Sequence, residues 1–209
     1  PVLLSAGMGT RLSDQSKDIP KSLLKIHGEF LLSFQLKKLH SLGFTEVLII
    51  VGFKFNEIQK AIGSNYLDMS IHYALNQDYS ETGTAVSFFQ AKEFWEKKHC
   101  SILMLHGDLF YDPSILDDLL ASQASSTLLT DYNYQNLTND EMVVFARNAN
   151  VYKVEKGPEE LTNSKGESLG INLFAESFCK KYFLYLEDFL ADDMNKKFHW
   201  EQTIEGFLR

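Results

Sequence analysis

Val2-Leu3-Leu4-Ser5-Ala6-Gly7-Met8-Gly9-Thr10-Arg11-Leu12 opens on an apolar run that gives way at once to small residues and glycines. A short hydrophobic stretch ended this way reads as a buried strand feeding a tight loop. Next, Phe30-Leu31-Leu32, Phe34, Leu36 and Leu39 recur at helical spacing and Leu42-Gly43 stops them. Glu46-Val47-Leu48-Ile49-Ile50-Val51 then follows as a continuous apolar strand, which completes a βαβ unit with parallel strands. Phe55 to Ile62 reads as a short helix, Ser70 to Ala74 as a strand, and Ala85 to Trp95 as a helix. Ser101 to Leu105 is another apolar strand, Ile115 to Ala121 a helix after Asp112-Pro113, and Thr127 to Thr130 a strand. Strands alternating with helices predict an α/β sheet.

After Asp131 the pattern changes. Met142 to Ala146 and Val151 to Val154 read as an antiparallel pair around Arg147-Asn148-Ala149-Asn150. Gly157 to Glu167 is polar, Leu169 to Phe174 is a strand, and Glu176 to Phe189 and Trp200 to Leu208 are helical. The expected organisation is one continuous domain over 1–209, with a nucleotide-binding half at 1–130 and an acceptor-binding half at 131–209.

The 209 residues carry 20 Lys+Arg against 28 Asp+Glu, a net charge of −8, so no broad basic footprint for nucleic acid or an anionic membrane exists. Cys100 and Cys179 lack CxxC or Cys/His ligand spacing, which points to a reducing compartment and no structural zinc. No apolar run approaches the roughly 20 residues of a membrane helix, and no signal peptide opens the chain. The sequence therefore reads as cytoplasmic, with neither nucleic-acid nor membrane partners.

Three stretches carry chemistry. In the first loop, glycines let backbone N–H groups approach phosphate oxygens, and Arg11 and Lys21 supply positive charge. A dinucleotide-binding loop fits badly, because Leu12 stands where G-x-G-x-x-G needs its third glycine. A P-loop fits no better, because Lys21-Ser22 follows Pro20 instead of glycine. In the second stretch, His106-Gly107-Asp108 ends an apolar strand, where a carboxylate can reach a metal or simply cap a turn. His106 reads as packing and Asp112 as the N-cap of the next helix. In the third, Asn76-Gln77-Asp78-Tyr79 and Glu81-Thr82-Gly83-Thr84-Ala85 join a strand to a helix, with Thr84 as a candidate cap.

Ala6-Gly7-Met8-Gly9-Thr10-Arg11-Leu12 followed by Pro20-Lys21-Ser22-Leu23-Leu24 resembles the signature of the nucleotidyltransferases that activate sugar phosphates and phosphocholine. The resemblance implies a Rossmann-like, three-layer αβα fold with a mixed, mostly parallel sheet, in which Ser5, Ala6, Gly7, Met8, Gly9 and Thr10 wrap a triphosphate while Arg11 and Lys21 hold its charge. It further implies that Gly107-Asp108 places Asp108 on Mg²⁺, and that Asn76, Gln77, Thr82, Gly83 and Thr84 form a base-reading loop. Glu155-Lys156 resembles the E-K segment that meets the acceptor, with Gly157 where proline is usual, and Glu167 to Gly170 resembles the strand after it. A solvated charged loop is the other reading of Glu155 and Lys156.

Trp200-Glu201 resembles a segment of the small phosphocholine enzymes, in which Trp200 would wall a trimethylammonium group with Glu201 as counter-charge. The other reading makes Trp200 a core aromatic. The family's second acidic metal ligand, in an E-I-D type segment, has no counterpart before Arg209. Either the chain is truncated there, as it is expected to be before Pro1, or Glu201 or Glu205 substitutes.

The implied reaction transfers a nucleoside monophosphate from an NTP to a phosphorylated acceptor, with Mg²⁺ and release of pyrophosphate. The favoured form is a CTP-dependent phosphocholine or phosphonate cytidylyltransferase of the bacterial cell-surface type, and a homodimer is compatible with it. A sugar-1-phosphate nucleotidylyltransferase is the near alternative. A silent nucleotide-sensing module and a nicotinamide oxidoreductase are the alternatives from other classes.

Overall fold

The computed structural model describes residues 1–9, 18–122, 124–132, 140–157 and 164–209. Val2–Ser5 forms strand β1, buried along its length. A 3-10 turn at Lys21–Leu23 and a small hairpin of β2 (Lys25–Ile26) and β3 (Glu29–Phe30) precede helix α1 (Leu31–Ser41) and β4 (Glu46–Val51). Helix α2 (Phe55–Ile62), β5 (Asn65–Tyr66) and β6 (Met69–Leu75) lead to α3 (Thr84–Phe89) and α4 (Lys92–Lys98). Then come β7 (Ile102–His106), α5 (Ser114–Leu120), β8 (Thr127–Asp131), β9 (Met142–Arg147), β10 (Asn150–Lys156) and β11 (Ser164–Phe174). Helix α6 (Glu176–Phe189), 3-10 turns at Asp193–Lys197 and Trp200–Thr203, and α7 (Ile204–Leu208) complete the order.

The main sheet runs β10-β9-β11-β7-β1-β4-β6-β5, with β8 also on β11. Its centre, β7-β1-β4-β6, is parallel, and antiparallel strands extend it on both sides. Central strands covered on both faces must be apolar on both, which is why their sequences run without alternation. Val2, Leu4, Leu48, Ile50 and Met104 meet Phe88, Trp95, Tyr182 and Phe183 on one face. Leu3, Val47, Ile49 and Leu105 meet Leu32, Leu36 and Ile58 on the other, so each central strand feeds two cores.

From β1 the chain steps to β4 and then β6 on one side, and β7 returns to the other side of β1. The strand order therefore reverses at β1, and the crevice beyond its carboxyl end is where an open α/β sheet receives a ligand. The glycine loop leaves β1 at that point.

Beyond the short β2, β3 and β5 strands and the 3-10 start of the Trp200–Leu208 segment, the structure departs from the sequence reading in three further places. The helix expected over Ala85 to Trp95 is broken between α3 and α4, because Ala91 N–H bonds the carbonyl of Phe88, three residues back, at 3.0 Å. The break turns Trp95 inward, and its Nε1–H reaches the Cys100 carbonyl at 2.8 Å. The strand expected from Leu169 begins at Ser164, because β11 must pair with β7, β8 and β9 and shifts register between those partners. Finally, no side chain caps α3: the Thr84 hydroxyl is taken by the N–H of Trp200 at 3.1 Å instead. The Asn148-Ala149 turn does form the expected hairpin, with φ of 49° and 62° as a tight β-turn requires.

Both cysteines are free. Cys179 on α6 is buried, and burial pushes its thiol up to about 12, so almost no reactive thiolate forms near neutrality. A colorimetric thiol reagent at pH 8 should titrate Cys100 promptly in the folded protein and both thiols in urea. Two prompt thiols without denaturant would contradict the packing of α6.

Candidate active site

The crevice beyond β1 is a cleft of about 420 Å³. Ser5, Ala6, Gly7, Met8 and Gly9 form one wall. Gly9 has φ of +68°, and a side chain there would strike the Lys21 stem at 2.7 Å, so the lysine lies directly against the loop. Opposite, β7 ends at His106 and turns through Gly107 to Asp108. Gly107 N–H bonds the Leu4 carbonyl at 2.8 Å, and a Cβ on Gly107 would lie 1.9 Å from Ser5 Oγ, so β1 and the β7 turn are in backbone contact.

Lys21 Nζ and Asp108 Oδ2 stand 3.4 Å apart across the cleft. The Oγ atoms of Ser5 and Ser22 are buried without a hydrogen-bond partner, and both residues line the cleft, where phosphate oxygens or water would satisfy them. Thr10 and Arg11 lie outside the described residues.

Asp108 offers a hard carboxylate oxygen, 36% exposed toward the cleft. No group of three or more His, Cys, Asp or Glu gathers among the described residues. One carboxylate completed by substrate phosphates is the usual way Mg²⁺ is held, so the donor set fits that ion. Glu205 is paired with Arg209.

The expected base-reading loop divides. Thr82, Gly83 and Thr84 line the cleft. Asn76 is buried, its Nδ2 donating to Thr82 Oγ1 at 3.0 Å and Ser87 Oγ at 3.1 Å while its Oδ1 accepts from Asp78 N–H at 3.1 Å. Its amide thus organises the loop from beneath. Gln77 faces a separate shallow depression beside Lys54 and Phe55. Over the loop lies a strap formed by residues 196–202: Gly83 N–H bonds the Lys196 carbonyl at 2.8 Å, and Ala85 N–H the Phe198 carbonyl at 3.2 Å.

Among the acceptor candidates, Lys156 and Glu201 line the cleft, whereas Glu155 is paired with Lys153 at 2.6 Å. Lys156 pairs with Asp140 at 3.0 Å. Glu167 is not part of the cleft wall; burial raises its carboxyl above the ordinary range, helped by Glu141 and Asp131. Gly170, φ +68°, leaves room for the His106 ring, which a Cβ would meet at 2.9 Å. Trp200 is fully buried among Phe88, Phe174 and Tyr182, so its ring offers the cleft no open face.

The Trp200 indole N–H points at His106 Nε2, 3.3 Å away. Glu201 Oε1 lies 3.6 Å from the same nitrogen. The buried indole N–H needs an acceptor, and His106 Nε2 is placed to supply it. Glu201 is 3% exposed, and burial raises its carboxyl above the ordinary range.

Sequence reasoning missed Gln35. It is fully buried on α1, and its Nε2 donates to the carbonyls of His106 and Leu109 at 3.0 and 3.1 Å, gripping the turn that carries Asp108 from both sides. A polar residue inside the Leu32-Leu36-Leu39 stripe was the available signal. Tyr79, which stood in the Asn76–Tyr79 stretch without a role, also lines the cleft, as do Met142 and His199.

A doubly sided α/β sheet with a glycine loop, a lysine and a strand-end aspartate at the strand-order reversal defines a nucleotide-handling protein of the Rossmann-like class. The family model for Nucleotidyl transferase matches residues 1–192, and the chain belongs to that family. By family and fold it is a nucleotidyltransferase, an enzyme of the class that moves a nucleoside monophosphate from an NTP to a phosphorylated acceptor.

The chain is 33% identical over 127 residues to CMP-5'-(3-aminopropyl)phosphonate synthase of Streptomyces rubellomurinus, covering 61% of this chain but only 20% of that relative. It is 22% identical to CTP:phosphoglutamine cytidylyltransferase of Campylobacter jejuni, covering 93% of this chain and 81% of the relative. Among solved structures, the inositol-1-phosphate CTP transferase from T. maritima superposes with TM-score 0.79 at 17% identity, covering 99% of this chain and 80% of that one. The CTP:phosphocholine cytidylyltransferase from Streptococcus pneumoniae gives TM-score 0.72 at 20% identity, covering 98% and 83%. At such identities the superpositions establish the fold. Among the described residues, no helix is long and apolar enough to cross a membrane.

The strap makes a direct prediction. A Cβ on Gly83 would lie 2.1 Å from the Phe198 carbonyl oxygen, a backbone atom that no rotamer change can move. Gly83→Ala should lower stability by about 1–3 kcal/mol and shift tryptophan emission to the red as Trp200 loses its seat. A variant with the wild-type urea midpoint and emission would show that the strap does not pack here.

Proposed function

We propose that this chain transfers CMP from CTP to a small phosphate or phosphonate acceptor and releases pyrophosphate. The observation that carries the reading is the meeting of the Gly7-Met8-Gly9 loop, Lys21 and Asp108 in one cleft at the carboxyl end of β1. The volume of about 420 Å³ falls within the range of small-molecule sites. The choice of CTP, and of a compact acceptor, draws on relatives named for cytidylyl transfer to phosphonate, phosphoglutamine and phosphocholine.

In the proposed site the loop N–H groups and the Ser5 and Ser22 hydroxyls meet phosphate oxygens. Thr82, Gly83 and Thr84 border the nucleotide, with Lys156 and Glu201 toward the acceptor. Lys21 leaves Asp108 for a phosphate oxygen when nucleotide enters, and Arg11 is assigned beside it by its motif. An acceptor oxygen, already anionic, attacks the α-phosphorus, and the bond to the bridging β-phosphate oxygen breaks in line. Pyrophosphate departs with that electron pair, so no protein nucleophile or proton acceptor takes part. Lys21 offsets charge as it gathers on the leaving group, and the loop fixes the line of attack. Magnesium, when bound by Asp108 and the phosphates, would neutralise the same charge.

Pyrophosphate release with Mg²⁺ should be fastest with CTP among CTP, UTP, dTTP, GTP and ATP, and chelation by EDTA should stop it. Lys21→Ala should slow it by about a hundredfold or more with the melting temperature unchanged, since one charge-stabilising donor is removed. Asp108→Asn should lose the response to Mg²⁺ together with the rate. Wild-type turnover in either variant would overturn the assignment of that residue.

A further inference from the structure

Helix α1 buries a stripe of Leu32, Leu36 and Leu39, and Gln35 stands beside them with no exposed surface. A buried amide is costly unless its hydrogen bonds are made. Here Nε2 donates twice, to the carbonyls of His106 and Leu109, while Oε1 has no partner among the described residues. Both partners are carbonyl oxygens, so only the NH₂ end of the amide can face them. A leucine or methionine would continue the stripe without burying an unpaired oxygen. Packing alone therefore gives no reason for glutamine at this position, and what the residue does is found at the two carbonyls.

Those carbonyls belong to the first and last residues of the turn whose middle is Gly107-Asp108. One amide spans the turn from end to end, and the Gly107 N–H bond to the Leu4 carbonyl fastens the same turn to β1. The neighbouring contacts of α1 follow the same path. Phe34 packs its ring on Phe110 and Tyr111, with centroids 4.8 and 5.6 Å apart, and Lys38 meets Asp117 at 2.6 Å. The Asp108 carboxylate reaches into the cleft from this turn, so where its oxygens stand follows from where the turn is held.

Resting on the cytidylyltransfer reading, we infer that Gln35 is a positioning residue for that reaction. It touches neither substrate nor metal, and by clamping both ends of the turn it holds Asp108 where a divalent cation and Lys21 require it. Groups that orient a metal ligand from behind typically contribute about 10- to 100-fold in metal affinity or activity. A purely structural role would show in stability and leave the affinity for the cation as it is.

The test uses the whole chain with Mn²⁺ and CTP but no acceptor, the free ion being followed by electron paramagnetic resonance. Pyrophosphate release with Mg²⁺, CTP and the preferred acceptor is measured alongside. Gln35→Met keeps the length of the side chain and removes both donors. It should weaken Mn²⁺ binding by about tenfold or more and lower kcat, with KM for CTP changed far less. Leu36→Val loosens the same helix without touching either carbonyl, and should lower the melting temperature with Mn²⁺ affinity unchanged. In an Asp108→Asn background, Gln35→Met should weaken Mn²⁺ no further, because the group it positions is gone. Gln35→Glu, equal in size to glutamine, answers the same question if the methionine variant does not fold, and should also bind Mn²⁺ more weakly than wild type.

Wild-type Mn²⁺ affinity in a folded Gln35→Met or Gln35→Glu would overturn the inference. So would a loss in Leu36→Val as large as that in Gln35→Met, or an undiminished further loss in the double variant. Collapse of both Gln35 variants would assign the residue to folding and overturn it, as would a wild type that binds no Mn²⁺ with CTP. Silence of the wild type with every NTP and acceptor would instead overturn the cytidylyltransfer reading, and the Mn²⁺ titration would still decide whether Gln35 positions Asp108.

Discussion

The close approach of Gly107 to Ser5 is the constraint on which the site depends. Two parallel strands run side by side through the sheet, and at their carboxyl ends the turn after β7 leans onto β1 with no room for a side chain between them. That contact brings the Asp108 carboxylate within reach of Lys21, which arrives from the 3-10 turn after the loop. Had the turn stood a few ångströms away, the glycine loop and the acidic group would line separate hollows. The apolar strands supply the rigidity, because each is locked into two cores and cannot slide without exposing one of them.

The second organising feature is the strap. Residues 196–202 fold back over the start of α3, using backbone hydrogen bonds to Gly83 and Ala85 and the Thr84 hydroxyl. Trp200 enters the core as the anchor of this segment, with the Tyr182 hydroxyl donating to its carbonyl at 2.9 Å. Anchoring by a large aromatic is what keeps the next residue, Glu201, buried beside His106 with its Oε2 unsatisfied. A charged side chain in such a position would otherwise turn outward to water. The stability of the indole's burial thus holds a polar group where the site can use it.

Much of this was legible in the sequence. The continuous apolar strands and the 3.6-residue stripe of α1 are consequences of two-sided and one-sided burial, and both survive as pattern. The loop glycines and Lys21 stood out because phosphate chemistry narrows the choice of residues there. Asp108 was legible as a strand-end carboxylate. What was not legible depends on contacts that only the folded chain makes. Thr84 has the composition of a cap, yet a backbone N–H from residue 200 claims its oxygen. Asn76 has the composition of a base reader, yet its three hydrogen bonds lie within its own loop and the following helix. The break between α3 and α4 is likewise invisible in a helical pattern that continues across Gln90 and Ala91, and shows only in the three-residue bond from Ala91 N–H to Phe88.

Gln35 ties the interior of the protein to its chemistry in another way. Its side chain leaves a helix that is otherwise hydrophobic packing and holds two carbonyls of the turn bearing Asp108. The turn is therefore tied to helix α1 at two carbonyls, so the acidic loop shares the packing of that helix instead of standing as a free surface segment. Any repacking of that helix would therefore be felt at the carboxylate, so a single amide couples the interior of the protein to the floor of its cleft.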